Sequence, residues 1–258
     1  MKKKVLILGY SLTGKKSAEY FLNNGYDVYI SEFDKQKEDA DELIKKGVKI
    51  EFNGHTAEFT KDADLCIISP SIKDTAPVLS EIKCPVYSDI EYAGKVLNYE
   101  DKMILITGTN GKTTTTMLTS FILSEKFNAP YVGNVGVPPL FVLKDEKPDF
   151  LVVEASSYQL HYSKNLAPKI SILCNITPDH LSWHGGMEGY IKDKTDILKR
   201  APKDSYVVLN YDDPYTKTFA SEIKANLYYF SLKKIDFENL CYLDNGAIYF
   251  KDEKIINL

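Results

Sequence analysis

The stretch M-I-L-I-T-G-T-N-G-K-T-T-T-T, Met103 to Thr116, decides the fold. Met103 to Ile106 form a short apolar run of buried-strand type, and Thr107 to Gly111 a tight, glycine-bearing turn. From Lys112 onward Met117, Leu118, Phe121 and Ile122 recur at helical spacing, which predicts a helix reaching about Lys126. A strand, a glycine-rich turn, a Lys-Thr pair and a helix in that order build a phosphate-binding loop. Backbone N–H groups of such a turn and of the helix N-terminus converge on one spot and favour an anion there. Gly108, Thr109, Asn110, Gly111, Lys112, Thr113 and Thr114 are thus the candidate nucleotide-phosphate contacts. Lys112 is a point charge for the outer phosphates, and the Thr113 hydroxyl a ligand for the accompanying Mg²⁺. The full G-x-x-x-x-G-K-[ST] pattern is not met, because the first glycine is Gly108. Four consecutive threonines are poor helix formers with no packing reason to stand there, which argues against an ordinary strand-to-helix turn.

The 258 residues suffice for one large or two ordinary domains, and 44% hydrophobic with 26% charged residues is the composition of a globular protein. A net charge of −4 without a basic stripe speaks against nucleic acid as partner. The four cysteines, Cys66, Cys84, Cys174 and Cys241, form no C-x-x-C pair, and two of them lie in apolar runs, as in a reducing cytoplasm. The start M-K-K-K-V-L-I-L-G loses its apolar run at Gly9, too early for a signal peptide, and no apolar run is long enough to span a membrane.

Upstream, Val5 to Leu8 read as a strand, G-Y-S-L-T-G (Gly9 to Gly14) as a turn, Lys15 to Asn24 as a helix closed by Gly25, and Val28 to Ile30 as the next strand, ending in Ser31-Glu32. This is a β-turn-α-β unit of the nucleotide-binding, Rossmann-like kind. Ser11 stands where a dinucleotide fingerprint needs glycine, which disfavours NAD or FAD and hence an oxidoreductase. Glu32 occupies the place of a ribose-binding acid and equally that of a solvated one. A helix from about Asp39 to Lys46 and a strand Leu65 to Ile68 follow, with Ser69-Pro70-Ser71-Ile72 turning at its carboxyl end, where open α/β sheets bind ligands. The polar run N-Y-E-D-K, Asn98 to Lys102, marks a domain boundary, giving domains 1–98 and 99–258. Strands at Phe150–Val153, Ile170–Ile176, Tyr206–Asn210 and Leu227–Ser231, and a hairpin Cys241–Phe250 around Asp244-Asn245-Gly246, complete an α/β chain with mostly parallel sheets.

Four further residues stand where the pattern draws attention to them. Glu154 ends a strand beside the phosphate loop, the place of a Mg²⁺ ligand. Asp179 and His180 leave another strand end in N-I-T-P-D-H. Lys194 lies in a helix predicted over Tyr190 to Arg200, where spacing alone reads it as a solvated lysine. His55, His161 and His184 have no nameable partner in the sequence.

Taken together, G-T-N-G-K-T-T (Gly108 to Thr114), E-A-S-S-Y-Q-L (Glu154 to Leu160) and N-I-T-P-D-H-L (Asn175 to Leu181) resemble the Mur ligase family of peptidoglycan synthesis. The middle motif, with G-Y-S-L-T-G and Y-V-G-N-V-G-V-P-P-L, is similar to the branch that adds D-glutamate. The resemblance runs along the whole chain. It implies a Rossmann-like N-terminal domain for the UDP-substrate and a central P-loop ATPase-like domain. It also implies a reaction in which ATP phosphorylates the carboxylate of UDP-N-acetylmuramoyl-L-alanine and D-glutamate then displaces phosphate. By that resemblance Lys112, His180 and Lys194 are catalytic. Two Mg²⁺ ions are held by Thr113, Glu154, His180 and Lys194, the lysine carbamylated by CO₂, because Tyr190-x-x-x-Lys194 matches the family's register. Ser11, Leu12, Thr13, Gly14, Ser31, Glu32, Phe33, Ser69, Pro70, Ser71, Ile72, Asn134, Ser156 and Gln159 hold the UDP-sugar, and a monomer without membrane contact is expected.

Ser71 replaces the glycine usual in S-P-G-[IV], which would narrow the backbone approach to UDP, and Ser182 replaces the second acid of D-H-[LM]-D. Family members continue into a third domain that supplies much of the amino-acid site. The expectation is therefore a two-domain chain with little ligation on its own; the alternative is a non-catalytic UDP-sugar-binding module or subunit needing a partner.

Overall fold

A computed structural model describes residues 2–35, 37 and 39–258. Among the described residues fourteen strands form two sheets. The first sheet comprises β1 (Lys4–Leu8), β2 (Asp27–Ser31), β3 (Lys49–Glu51), β4 (Leu65–Ile68) and β5 (Val86–Tyr87), all parallel in the order β3-β2-β1-β4-β5. Its connections run through α1 (Leu12–Asn23), α2 (Ala40–Lys45), α3 (Ala57–Thr60) and α4 (Val78–Glu81), with α5 (Asp89–Glu91) after the last strand. Strand order reverses between β1 and β4, so Gly9 and Ser69 meet at the carboxyl ends and open the crevice where such sheets bind ligands. A Cβ on Gly9, whose φ is +99°, would lie 2.6 Å from the Ser69 Cβ, so the closeness requires glycine.

The second sheet runs β14-β13-β12-β11-β10-β9-β6-β8-β7. Its parallel part comprises β6 (Met103–Thr107), β7 (Tyr131–Gly133), β8 (Leu151–Glu154), β9 (Ile170–Leu173), β10 (Tyr206–Asn210), β11 (Asn226–Ser231) and β12 (Leu240–Asp244). β13 (Ala247–Phe250) and β14 (Glu253–Asn257) close it antiparallel. Asn245 and Gly246 both have positive φ, 45° and 71°, the primed turn expected between β12 and β13. The helices are α6 (Lys112–Ser124), α7 (Pro139–Leu143), α8 (Ser157–His161), α9 (Leu181–His184), α10 (Met187–Lys199) and α11 (Thr216–Phe219). The larger core joins Leu105, Leu151, Val153, Leu173, Val207 and Leu209 of the sheet to Tyr190, Ile197 and Leu198 of α10. Ile104, Ile106, Val152, Ala129 and Cys174 form a smaller core on the opposite face.

Several elements differ from the sequence reading. α1 begins at Leu12, not Lys15, because the Ser11 hydroxyl caps it by accepting from the Gly14 amide at 3.3 Å. β9 ends at Leu173, after which Asn175 turns back to the phosphate loop. α10 starts at Met187, and β14 is an additional edge strand. The stripe Met117, Leu118, Phe121 and Ile122 faces outward, while Thr116 and Ser120 form the buried side of α6.

The two sheets meet along α5 and α8. The Ser88 and Ser163 hydroxyls bond at 2.8 Å, the Asn165 amide donates to Glu91 Oε1 at 2.6 Å, and the Tyr162 hydroxyl donates to the Ile72 carbonyl at 2.6 Å. Asp89 is fully buried at this junction, and neither carboxylate oxygen has a partner in bonding geometry among the described residues. Burial pushes its pKa up to about 6, with the Ile90 amide and the Gln159 side chain opposing the rise only in part.

Candidate functional site

At the carboxyl end of β6 the chain turns through Gly108 (φ +152°) and Gly111 (φ +81°), both in backbone that favours glycine. The loop amides divide into two sets. Thr109 N and Asn110 N donate to the Asn175 carbonyl and its Oδ1, at 3.0 and 2.8 Å, so these two are turned inward, contrary to the expectation for a cradle made of every amide. The amides of Gly111, Lys112, Thr113 and Thr114 meet no acceptor among the described residues, as the first turn of a helix must leave them. Together with the positive end of α6 they favour an anion, and Thr113 and Thr114 stand exposed beside them. Lys112 folds back over the turn, its Nζ donating to the Thr109 carbonyl at 2.8 Å.

β8 lies directly beside β6 and delivers Glu154, which is 1% exposed, to the same edge. Glu154 Oε1 accepts from Asn134 Nδ2 at 2.7 Å, and the Asn134 amide donates to the Glu154 carbonyl at 2.9 Å. Gly133 allows this approach, since a Cβ there would stand 2.3 Å from the Glu154 carbonyl oxygen. Glu154 Oε2 is buried without a partner among the described residues. A buried anionic oxygen of this kind calls for a cation. No group of three or more His, Cys, Asp and Glu side chains among the described residues is arranged to hold a metal. An Mg²⁺ here would therefore also draw on hydroxyl and phosphate oxygens, which suit it.

Lys194 is not the solvated lysine that its spacing suggests: it is 1% exposed and donates to the Gly108 carbonyl at 2.8 Å. Burial, aided by the Lys112 charge, lowers its pKa to about 7, so near neutrality much of it is the free amine. His180 sits in left-handed backbone (φ +50°) at the head of α9, half exposed, with its ring 5.0 Å from that of Tyr158. Lys112, Asn134, Ser156, Ser157, Asp179, His180 and Lys194 converge on one cavity of about 130 Å³. Six of these were named from the sequence; Ser157 was not.

A second cavity, of about 450 Å³, joins this one to the first sheet and is lined by Ser11, Leu12, Thr13, Pro70, Ser71, Asn134, Ser156 and Gln159. A third, of about 290 Å³, continues past Ser69, Ser71 and Ile72 to Glu32 and Phe33. Gly14 and Ser31 line neither. Gly14 packs on the Gly9 carbonyl, where a Cβ would come within 2.1 Å, and the buried Ser31 hydroxyl is engaged by Glu51 and His55 at 2.5 and 2.6 Å. Glu32 holds the loop shut, accepting from the Tyr10 and Asp34 amides at 2.6 and 2.9 Å. Ser71 needs no left-handed backbone, and its hydroxyl bonds that of Ser69 at 3.0 Å, so the missing glycine is tolerated locally. Ser182 is exposed and lines none of these three cavities. Ser156 and Gln159 form a capping box at the start of α8.

Sequence reasoning missed a buried polar relay beside the small cavity. Asp193 accepts from His161 Nδ1 at 3.0 Å and from His184 Nδ1 at 2.6 Å, and His184 Nε2 meets the Ser157 hydroxyl at 2.9 Å. Burial holds His184 below its ordinary pKa, against the pull of Asp193, so its ring is neutral near pH 7.

A family model described as Mur ligase middle domain matches residues 106–253, and one described as Mur ligase MurD-like, N-terminal domain, matches residues 3–86. The chain is 34% identical to a UDP-N-acetylmuramoylalanine–D-glutamate ligase of Thermosipho melanesiensis over 91% of its own length and 55% of the relative's. It is 34% identical to the ligase of that name from Thermoanaerobacter sp. (strain X514) over 99% and 58%. The chain thus spans little more than half the length of these curated relatives. Among solved structures, the UDP-N-acetylmuramate:L-alanyl-gamma-D-glutamyl-meso-diaminopimelate ligase of Neisseria meningitides superposes with a TM-score of 0.66 at 17% identity, covering 98% of this chain and 86% of that one. The UDP-N-acetylmuramate-alanine ligase of Thermotoga maritima gives 0.60 at 22%, covering 99% and 60%. At these identities the likeness is one of fold.

Proposed function

Since the chain belongs to the Mur ligase family, we propose that it carries the ATP and UDP-sugar sites of a cytoplasmic ligase that adds D-glutamate to UDP-N-acetylmuramoyl-L-alanine. The observation that carries this reading is the convergence of Lys112, Asn134, His180 and Lys194 on one cavity, beside Glu154 with its unpartnered oxygen. Residues 1–98 bind the UDP-sugar along the cavities at Ser11–Thr13, Glu32-Phe33 and Ser69–Ile72. Residues 99–258 bind ATP.

In this reading the substrate carboxylate attacks the γ-phosphorus of ATP, the bond to the β-phosphate oxygen breaks and ADP leaves. The amine of D-glutamate then attacks the acyl carbon, expelling phosphate and losing a proton. Little covalent help is required, so the contribution of the protein is placement and charge. The free amides of Gly111 to Thr114 and the Lys112 ammonium meet the phosphate charge. Asn134 orients Glu154 and faces the UDP-sugar cavity with its remaining polar edge. By the family resemblance Glu154 Oε2 and the Thr113 hydroxyl would hold one Mg²⁺, and His180 with a carbamylated Lys194 a second; the metal would neutralise phosphate oxygens. A lysine amine already neutral near pH 7 is the form that adds CO₂, which supports Lys194 in that part.

Calorimetry tests the division of labour. UDP-N-acetylmuramoyl-L-alanine and ADP with Mg²⁺ are each expected to bind the 258-residue chain, and Lys112→Ala to weaken only the second. Loss of both affinities together would overturn the assignment of the two ligands to the two sheets.

A further inference from the structure

The relay through Asp193 and His184 ends at the hydroxyl of Ser157, a residue that lines the small cavity read above as the nucleotide site. Asp193, as a carboxylate, only accepts, so His184 Nδ1 carries the ring proton and Nε2 is the acceptor. The Ser157 hydroxyl therefore donates its one proton to His184, and what it can still offer is lone pairs. Ser157 is 3% exposed, yet it lines the cavity formed by Lys112, Asp179, His180 and Lys194. His161 supplies a second donor to Asp193, fixing the carboxylate from the α8 side. Three helices are thus stitched together: α8 through Ser157 and His161, α9 through His184 and α10 through Asp193, the neighbour of Lys194.

We propose that Ser157 is a further oxygen donor of the nucleotide–metal site, directed toward the cation or its water by His184 and Asp193, which act as positioning residues. A bare serine hydroxyl rotates and can offer either its proton or its lone pairs; one whose proton is committed presents an acceptor without reorganisation. The proposal rests on the reading of the cavity as a nucleotide–metal site.

The test is Mn²⁺ binding, as a stand-in for Mg²⁺, to the ADP-loaded 258-residue chain, followed by paramagnetic resonance of the free ion. Ser157→Ala is expected to weaken Mn²⁺ about 10-fold, the lower end for residues that orient metal ligands, while ADP affinity without metal stays unchanged. His184→Phe keeps an aromatic ring among Tyr158, Trp183 and Tyr190, whose centroids lie 4.7 to 5.4 Å away. It should reproduce the same loss, and the double variant should be no worse than either single one. A purely structural role would lower melting temperature without that coupling. Unchanged Mn²⁺ affinity in Ser157→Ala, or multiplicative losses in the double variant, overturns the proposal alone. Failure of the unsubstituted chain to bind ADP overturns the nucleotide reading and this one with it.

Discussion

Replacing Asp89 by asparagine removes a buried, titratable carboxyl group at nearly constant shape. The carboxyl group is fully buried at the junction of the two sheets, without a partner in bonding geometry among the described residues, and its pKa rises from 3.8 to about 6. A raised carboxyl pKa means that the folded chain holds a proton which the unfolded chain releases between those two values. Stability from this group is fully present below pH 3.8 and is lost as pH rises through about 6. The shift of about two units corresponds to about 3 kcal/mol of destabilisation at pH 8, of which about 1 kcal/mol is already present at pH 4.5. Asparagine does not titrate, and any cost of burying its amide is the same at both pH values. Urea unfolding of wild type and Asp89→Asn, followed by circular dichroism, should therefore show the variant gaining about 2 kcal/mol on wild type between pH 4.5 and pH 8. Parallel pH profiles would refute the argument. They would mean that the Gln159 amide or an ordered water binds the carboxylate well enough to keep it ionised, and that this contact bridges the two sheets.

Lys112→Ala should lower ADP affinity by about 10- to 100-fold, the range for a lost charged hydrogen bond, and leave UDP-substrate affinity within about threefold by calorimetry. Gly133→Ala forces a Cβ to within 2.3 Å of the Glu154 carbonyl at a φ of +105°. It should cost at least ~2 kcal/mol in urea unfolding, and unchanged stability would show that β7 can move away from β8. For Lys194, whose pKa is lowered to about 7, the neutral amine predominates only above that pH. Carbon-13 NMR in labelled bicarbonate should show a lysine carbamate that grows from pH 6 to pH 8 and is missing in Lys194→Met. A signal equal in both proteins would exclude Lys194 as the reacting group.

The glycine-bearing turn between β6 and α6, the strand ends and the N-terminal β-turn-α-β unit were legible because each is encoded within a few neighbouring residues. Gly108 and Gly111 mark backbone that side chains avoid, and Glu154 follows an apolar run that can only be a buried strand. The relay was illegible because its members come from separate elements. Ser157, His184 and Asp193 are 27 and 9 residues apart, and only the packing of α8, α9 and α10 makes them neighbours. Lys194 was misjudged from spacing for the same reason, since its depth depends on the sheet beneath α10. The inward turn of the Thr109 and Asn110 amides followed from Asn175, a residue 65 positions from Asn110 that the motif alone does not tie to the loop.

The outward stripe on α6 shows that a helical period identifies the element without fixing the face it buries. Met117, Leu118, Phe121 and Ile122 recur at helical spacing, yet all four are exposed, and the helix rests on the sheet through Thr116 and Ser120. The Ser120 hydroxyl donates to the Ala129 carbonyl at 2.6 Å, fastening the helix to the start of the segment that becomes β7. Small side chains on the buried face bring a helix axis closer to its neighbour than leucine or phenylalanine would allow. Here the consequence reaches the site. α6 follows β6 after the short turn 108–111, so the depth at which it packs sets where the free amides of Gly111 to Thr114 stand relative to Glu154 on β8. The run of threonines, poor as helix formers, thus has a packing reason at Thr116 and a capping one at Thr115, whose hydroxyl donates to the Gly111 carbonyl at 2.9 Å. Helix propensity has yielded to the packing of α6 and to the turn from which it opens.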